Sequence, residues 1–139
     1  MTQARNTAVI VESRRSQHLA ETIRAHMQML PGWDMRHLAD LTFPDPRDDY
    51  NRLLTSTSFW ARFESSGRVL IFQHDSMLLR HGVDEFLDWA YVGAPWPADA
   101  PWGHPERKGG NGGLSLRNPR KRLELCSSVP WQPSRGNED

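Results

Sequence analysis

Two unbroken apolar runs, Ala8-Val9-Ile10-Val11 and Val69-Leu70-Ile71-Phe72, constrain this chain more than any other feature. A strand with one wet face alternates apolar and polar residues, whereas a run without alternation belongs in a sheet covered on both sides. Between the runs the period changes. Beyond Ser16, a residue suited to cap a helix, Leu19, Ile23, Met27 and Leu30 recur at helical spacing until Pro31-Gly32 ends the pattern. WDMRHLA (33–39) alternates weakly and predicts a further strand. DPRDDYNRLL offers Asp45 as a cap and Pro46 at the first helical position, predicting a helix that runs toward Trp60. After the second run, VDEFLDWA (83–90) reads as a short helix and YVGAPW as extended. GLSLR reads as a strand re-entering the sheet, and Asn118-Pro119 opens a last helix through Leu125. This order predicts one α/β domain over residues 1–139, a Rossmann-like β/α sandwich on a mainly parallel sheet.

Composition narrows the function. Lysine plus arginine equals aspartate plus glutamate at 17 each, so no global field draws a polyanion, and nucleic acid is not an expected partner. Cys126 is the single cysteine, which excludes an internal disulfide or a cysteine-rich zinc site and points to the cytoplasm. The apolar runs fall far short of the roughly 20 residues of a membrane helix, so no membrane span is expected. Six histidines contain no HExxH pair, and the chain has no GxSxG elbow, phosphate-loop or dinucleotide signature. Arg120-Lys121-Arg122 reads as a solvated helix face.

Polar residues follow each apolar run directly. In open α/β sheets ligands collect beyond the carboxyl ends of strands. There the first run delivers Glu12, Ser13 and Arg14, and the second Gln73, His74, Asp75 and Ser76. Two readings stand at Asp75: a cap for the following turn, or a carboxylate presented to a ligand. Residues 93–113, crowded with proline and glycine, predict a long surface loop of the kind used in binding. Within it, the glycines around Asn111, including Gly112 and Gly113, let a ligand approach the backbone closely. Trp96 and Trp102 flank the loop, where they could stack on a sugar or pack beneath it.

AVIVESR, LLTSTSFW, VLIFQHDS, DEFLDWAYVGAPW and GNGGLSLR, in that order, resemble an uncharacterised glycosyltransferase-like family, DUF5672. The resemblance implies a GT-A-type nucleotide-sugar transferase fold whose DXD-like motif ends a central strand. It implies that Asp75 holds a divalent cation, Mn2+ or Mg2+, on the donor diphosphate. Glu12, Ser13, Arg14, Gln73 and His74 would then contact the nucleotide-sugar donor. Trp96, Asn111, Gly112 and Gly113 would line the side of a carbohydrate or other hydroxyl acceptor. The family pattern continues to a Glu-Asp pair, which Glu138 and Asp139 match as candidate bases, and the chain is expected to stop short of the full domain. Ala90 stands where an acidic residue is usual. A non-catalytic remnant that still binds a nucleotide sugar or carbohydrate is the alternative.

Overall fold

The computed structural model describes residues 3–41, 46–97, 99 and 111–129. Both apolar runs are strands, β1 (Thr7–Val11) and β3 (Val69–Phe72), and every residue in them is buried. Between them come α1 (Gln17–Gln28), β2 (Asp34–Leu38), α2 (Pro46–Leu54) and α3 (Thr57–Ala61). A 3-10 turn (Val83–Phe86), β4 (Tyr91–Ala94), β5 (Asn111–Arg117) and α4 (Pro119–Ser128) follow. No helix among the described residues is long and apolar enough to cross a membrane.

Local chemistry sets the helix ends. Ser16 Oγ accepts the Leu19 N–H at 3.1 Å, and Asn118 Oδ1 accepts those of Arg120 and Lys121 at 3.1 and 3.3 Å. Gly32, at φ 81°, takes the left-handed conformation that turns the chain from α1 toward β2. The helix expected to reach Trp60 is instead two, because Ser56 starts a new one by accepting the Phe59 N–H at 3.2 Å. Asp45, the expected cap of α2, lies outside the described residues. Residues 83–90 supply only the 3-10 turn.

The strands lie in the order β2-β1-β3-β5-β4. β1 pairs in parallel with β2 and β3, placing Val9 opposite both Arg36 and Ile71. β5 runs antiparallel to β3 and to β4, with Leu116 opposite both Leu70 and Val92. The sheet is therefore mixed, which corrects the mainly parallel sheet expected from the sequence. Strand–helix alternation holds as far as β3, but β5 then inserts between β3 and β4 with reversed direction. Periodicity describes a strand's faces and carries no signal for its direction.

The two-residue period of the strands divides the core. Ala8, Ile10, Leu70, Phe72 and Leu116 point to one face, where Leu19, Leu30 and Trp33 cover them. Val9, Val11, Val69 and Ile71 point to the other, against Leu54, Phe59, Trp60 and Phe63. Burying each such side chain contributes about 1.5–3 kcal/mol. The basic run of α4 divides as well: Arg120 and Lys121 are exposed, whereas Arg122 is buried with its guanidinium 5.5 Å from the Trp60 ring centre. The solvated face expected for all three is corrected at Arg122, because α4 packs against α3 and turns that side chain inward.

Candidate functional site

Strand direction gathers the candidate segments at one edge of the sheet. β1 and β3 are parallel neighbours, so Glu12–Arg14 and Gln73–Ser76 leave from the same edge. The chain passes from β1 to β2 on one side and later to β3 on the other, so the gap between β1 and β3 is the topological switch point of the fold. β5 runs the other way and therefore begins there, bringing Asn111, Gly112 and Gly113 to the same edge. β4 is antiparallel to β5 and ends there, with half-buried Trp96 just beyond it. The pairing slips between Gly93 and Ala94, where Ser115 faces the former and Asn111 the latter. The extra residues of β5 are thus Gly112, Gly113 and Leu114, and glycine suits such a bulge.

The two carboxylates at this edge differ. Glu12 Oε1 accepts from the backbone N–H of Arg14 at 3.0 Å and from its Nε at 2.6 Å, while Oε2 accepts from Nη2 at 3.0 Å. This clamp holds the Glu12 carboxyl below the usual carboxylate range, chiefly through the Arg14 side-chain hydrogen bond and against partial burial. His37 Nε2–H donates to the Glu12 carbonyl at 2.8 Å, tying the tip of β1 to β2. Across the switch point, His74 Nδ1 lies 3.8 Å from Glu12 Oε2 and 3.4 Å from Arg14 Nη2. The His18 ring meets that of His74 edge-on, with centres 6.5 Å apart. Arg14 and Ser13 are exposed. Asp75 is exposed too, and among the described residues no cation lies within ion-pair distance of it. Its charge still reaches Arg14, whose guanidinium is held in its charged form first by Glu12 and to a smaller extent by Asp75.

The turn that carries Asp75 is held from beneath. Ser76 Oγ accepts the Gln73 N–H at 3.2 Å, and the Ser76 N–H donates to the Gln73 carbonyl at 3.1 Å. From α1, Thr22 Oγ1 donates to the His74 carbonyl at 3.0 Å. His26, 1% exposed, stacks on Phe72 at 4.3 Å and lies 3.3 Å from Ser76 Oγ through Nε2. Its Nδ1–H donates to the Thr22 carbonyl at 2.8 Å, and burial lowers its pKa. The glycine bulge is braced similarly: Arg117 Nε donates to Ser115 Oγ at 2.9 Å, and Ser115 Oγ donates to the Gly112 carbonyl at 3.0 Å. Arg117 is fully buried between Trp60 and Tyr91, its guanidinium carbon 5.8 and 5.5 Å from their ring centres.

The structure thus brings Glu12, Arg14 and His74 into contact, and sets Ser13, Gln73, Asp75, Trp96, Asn111, Gly112 and Gly113 along the same edge. Glu138, Asp139 and Trp102 lie outside the described residues. Thr22, His26, His37, Ser115 and Arg117 escaped the sequence reading. For the first two a signal existed: polar residues four apart, beside the apolar stripe of α1. Among the described residues no group of three or more histidine, cysteine, aspartate or glutamate side chains is gathered to hold a metal ion. Asp75 with His74 beside it suits a cation that arrives with its phosphate oxygens, since Mg2+ and similar ions keep most of their shell from water and phosphate.

A family model described as "Protein of unknown function (DUF5672)" matches residues 32–139. The chain belongs to this family. The match takes in β2 through the end of the chain, and so Gln73–Ser76, Trp96 and Asn111–Gly113. β1 and α1, with Glu12–Arg14, Thr22 and His26, precede it. No curated protein and no solved structure matches the DUF5672 chain.

Proposed function

We propose that this DUF5672 protein is a metal-dependent glycosyltransferase of GT-A type that moves a sugar from a nucleotide donor to a hydroxyl acceptor. One observation carries the reading: an exposed, uncommitted carboxylate, Asp75, ends the central strand of the sheet beside its topological switch point. The glycine bulge of β5, the next strand in the sheet, lies at the same edge. Asp75, with His74 next to it, would hold Mn2+ or Mg2+. When bound, such a cation stabilises as a Lewis acid the negative charge that builds on a departing nucleoside diphosphate. Arg14 stays positively charged at the same edge, and Glu12 fixes its direction, so the pair orients the donor as a unit. Gly112 and Gly113 leave backbone room for an acceptor, Trp96 offers a ring to a sugar face, and Glu138 or Asp139 is assigned the acceptor proton. A cytoplasmic setting accords with the single cysteine.

The commitment of Glu12 to Arg14 favours a second reading, a binding remnant without transfer, because it leaves Asp75 as the open carboxylate of the two strand tips. Calorimetric titration of UDP- and GDP-sugars with and without Mn2+, followed by an assay for sugar release, separates the two. Mn2+-dependent binding with transfer or slow hydrolysis supports the transferase; binding alone supports the remnant. Absence of binding to every donor removes both.

A further inference from the structure

Two polar contacts run from α1 to the turn beyond β3, and both come from buried positions of the helix. Thr22 and His26 are four residues apart and therefore share a helix face, and both are buried where apolar residues would pack. A buried polar group is retained at a cost unless its hydrogen bonds are made. Here they are made to one target. Thr22 Oγ1 reaches the His74 carbonyl at 3.0 Å, and His26 Nε2 reaches Ser76 Oγ at 3.3 Å, so the two helix residues bracket Asp75. The tautomer follows from the partners. The Thr22 carbonyl can only accept, so Nδ1 carries the His26 proton and the neutral ring presents a lone pair at Nε2 to the Ser76 hydroxyl. The single Ser76 hydroxyl proton is shared between the Gln73 carbonyl at 2.8 Å, the nearer acceptor, and Nε2 at 3.3 Å, and the same carbonyl also accepts the Ser76 N–H. Phe72 stacks beneath the ring and fixes its plane.

We propose that Thr22 and His26 are positioning residues: acting through the His74 carbonyl and the Ser76 hydroxyl, they set the Gln73–Ser76 turn and hence the direction in which Asp75 is presented. Its consequence for ligand binding rests on the donor-site reading above; its structural content does not. Neither residue touches a ligand, so substitution should loosen the turn and weaken binding while the fold persists.

The test uses the full chain labelled with nitrogen-15, with Mn2+ plus inorganic pyrophosphate as probe. Two measurements are made: paramagnetic broadening of the Asp75 amide, and hydrogen exchange of the Gln73 and Ser76 amides. Thr22→Val is nearly isosteric and Ser76→Ala small, so both keep the packing; His26→Phe keeps the stack on Phe72. Each is expected to speed exchange in the turn and to weaken the probe about three- to tenfold, the scale of one lost hydrogen bond. Thr22→Ser, which restores the hydroxyl, is expected to restore both. Unchanged exchange in Thr22→Val and Ser76→Ala overturns the inference. So does faster exchange with unaltered broadening, because Asp75 would then be presented equally well without the brace. If the wild-type chain shows no broadening at Asp75, the donor-site reading fails, and exchange alone decides whether α1 sets the turn.

Discussion

The loops after β1 and β3 leave adjacent parallel strands at one edge, and each carries a single carboxylate into the space between them. In the first loop the acid is consumed by the loop itself: Glu12 takes three hydrogen bonds from Arg14 and keeps only 13% of its side chain exposed. In the second, Ser76 and the α1 residues satisfy the backbone, and Asp75 is left open to solvent. A carboxylate after a strand is therefore no sign of function until the turn's own hydrogen bonds are counted. Where another group makes them, the acid stays open to solvent.

The largest effect is expected where β3 meets its brace. Phe72→Ala removes the ring under His26 as well as a core side chain, and should cost about 3–5 kcal/mol in denaturant unfolding. A loss below about 1 kcal/mol would mean the stack is not what fixes the second loop. Next comes the open acid itself: Asp75→Asn is expected to weaken Mn2+-dependent pyrophosphate binding about 100-fold, at the upper end of the 10–100-fold typical of groups that only support a metal ligand. Glu12→Gln, by contrast, should leave that affinity within a few-fold, and equal losses at the two positions would erase the distinction between the loops.

A smaller effect is a pH dependence. Thr22, Phe72 and Ser76 face His26, none of them charged, and burial holds its pKa below the ordinary 6.5. The unfolded chain then binds the proton more readily than the folded one. The contribution is complete above about pH 6.5 and is lost as pH falls toward the lower folded value, with a slope of at most about 1.4 kcal/mol per pH unit. His26→Phe should flatten that limb of the stability profile; an unchanged slope would locate the titration elsewhere. The smallest effect belongs to Glu12, also held below its ordinary range, so its stabilisation is present above the unfolded value of 4.5 and fades below it. Glu12→Gln should make only the most acidic part of the profile shallower, since its partner Arg14 is freely solvated and such pairs contribute little.

Much of the site was legible as position and little of it as contact. The apolar runs placed Glu12 and Asp75 beyond strand ends correctly, whereas the glycines around Asn111, expected in a surface loop, lie in β5 at its bulge. The clamp on Glu12 lies within two residues, yet a Glu-x-Arg triplet has no preferred geometry until β2 supplies His37 to hold the backbone. Thr22 and His26 were hidden for the opposite reason: their partners lie about fifty residues on. Arg117 reads as an ordinary strand-end charge, and only the approach of Trp60 and Tyr91 makes it a buried brace.

By itself the order of residues determined the strands β1 and β3, the capped start of α1 and the Asn118-Pro119 entry to α4. These depend on sterics and hydrogen bonds within a few residues, which a short window contains. Only the tertiary structure decided the reversal of β5, its insertion between β3 and β4, and which of two strand-end carboxylates stays free. Those outcomes turn on pairings between distant segments, where the energy comes from burying surfaces together and no local period records the partner.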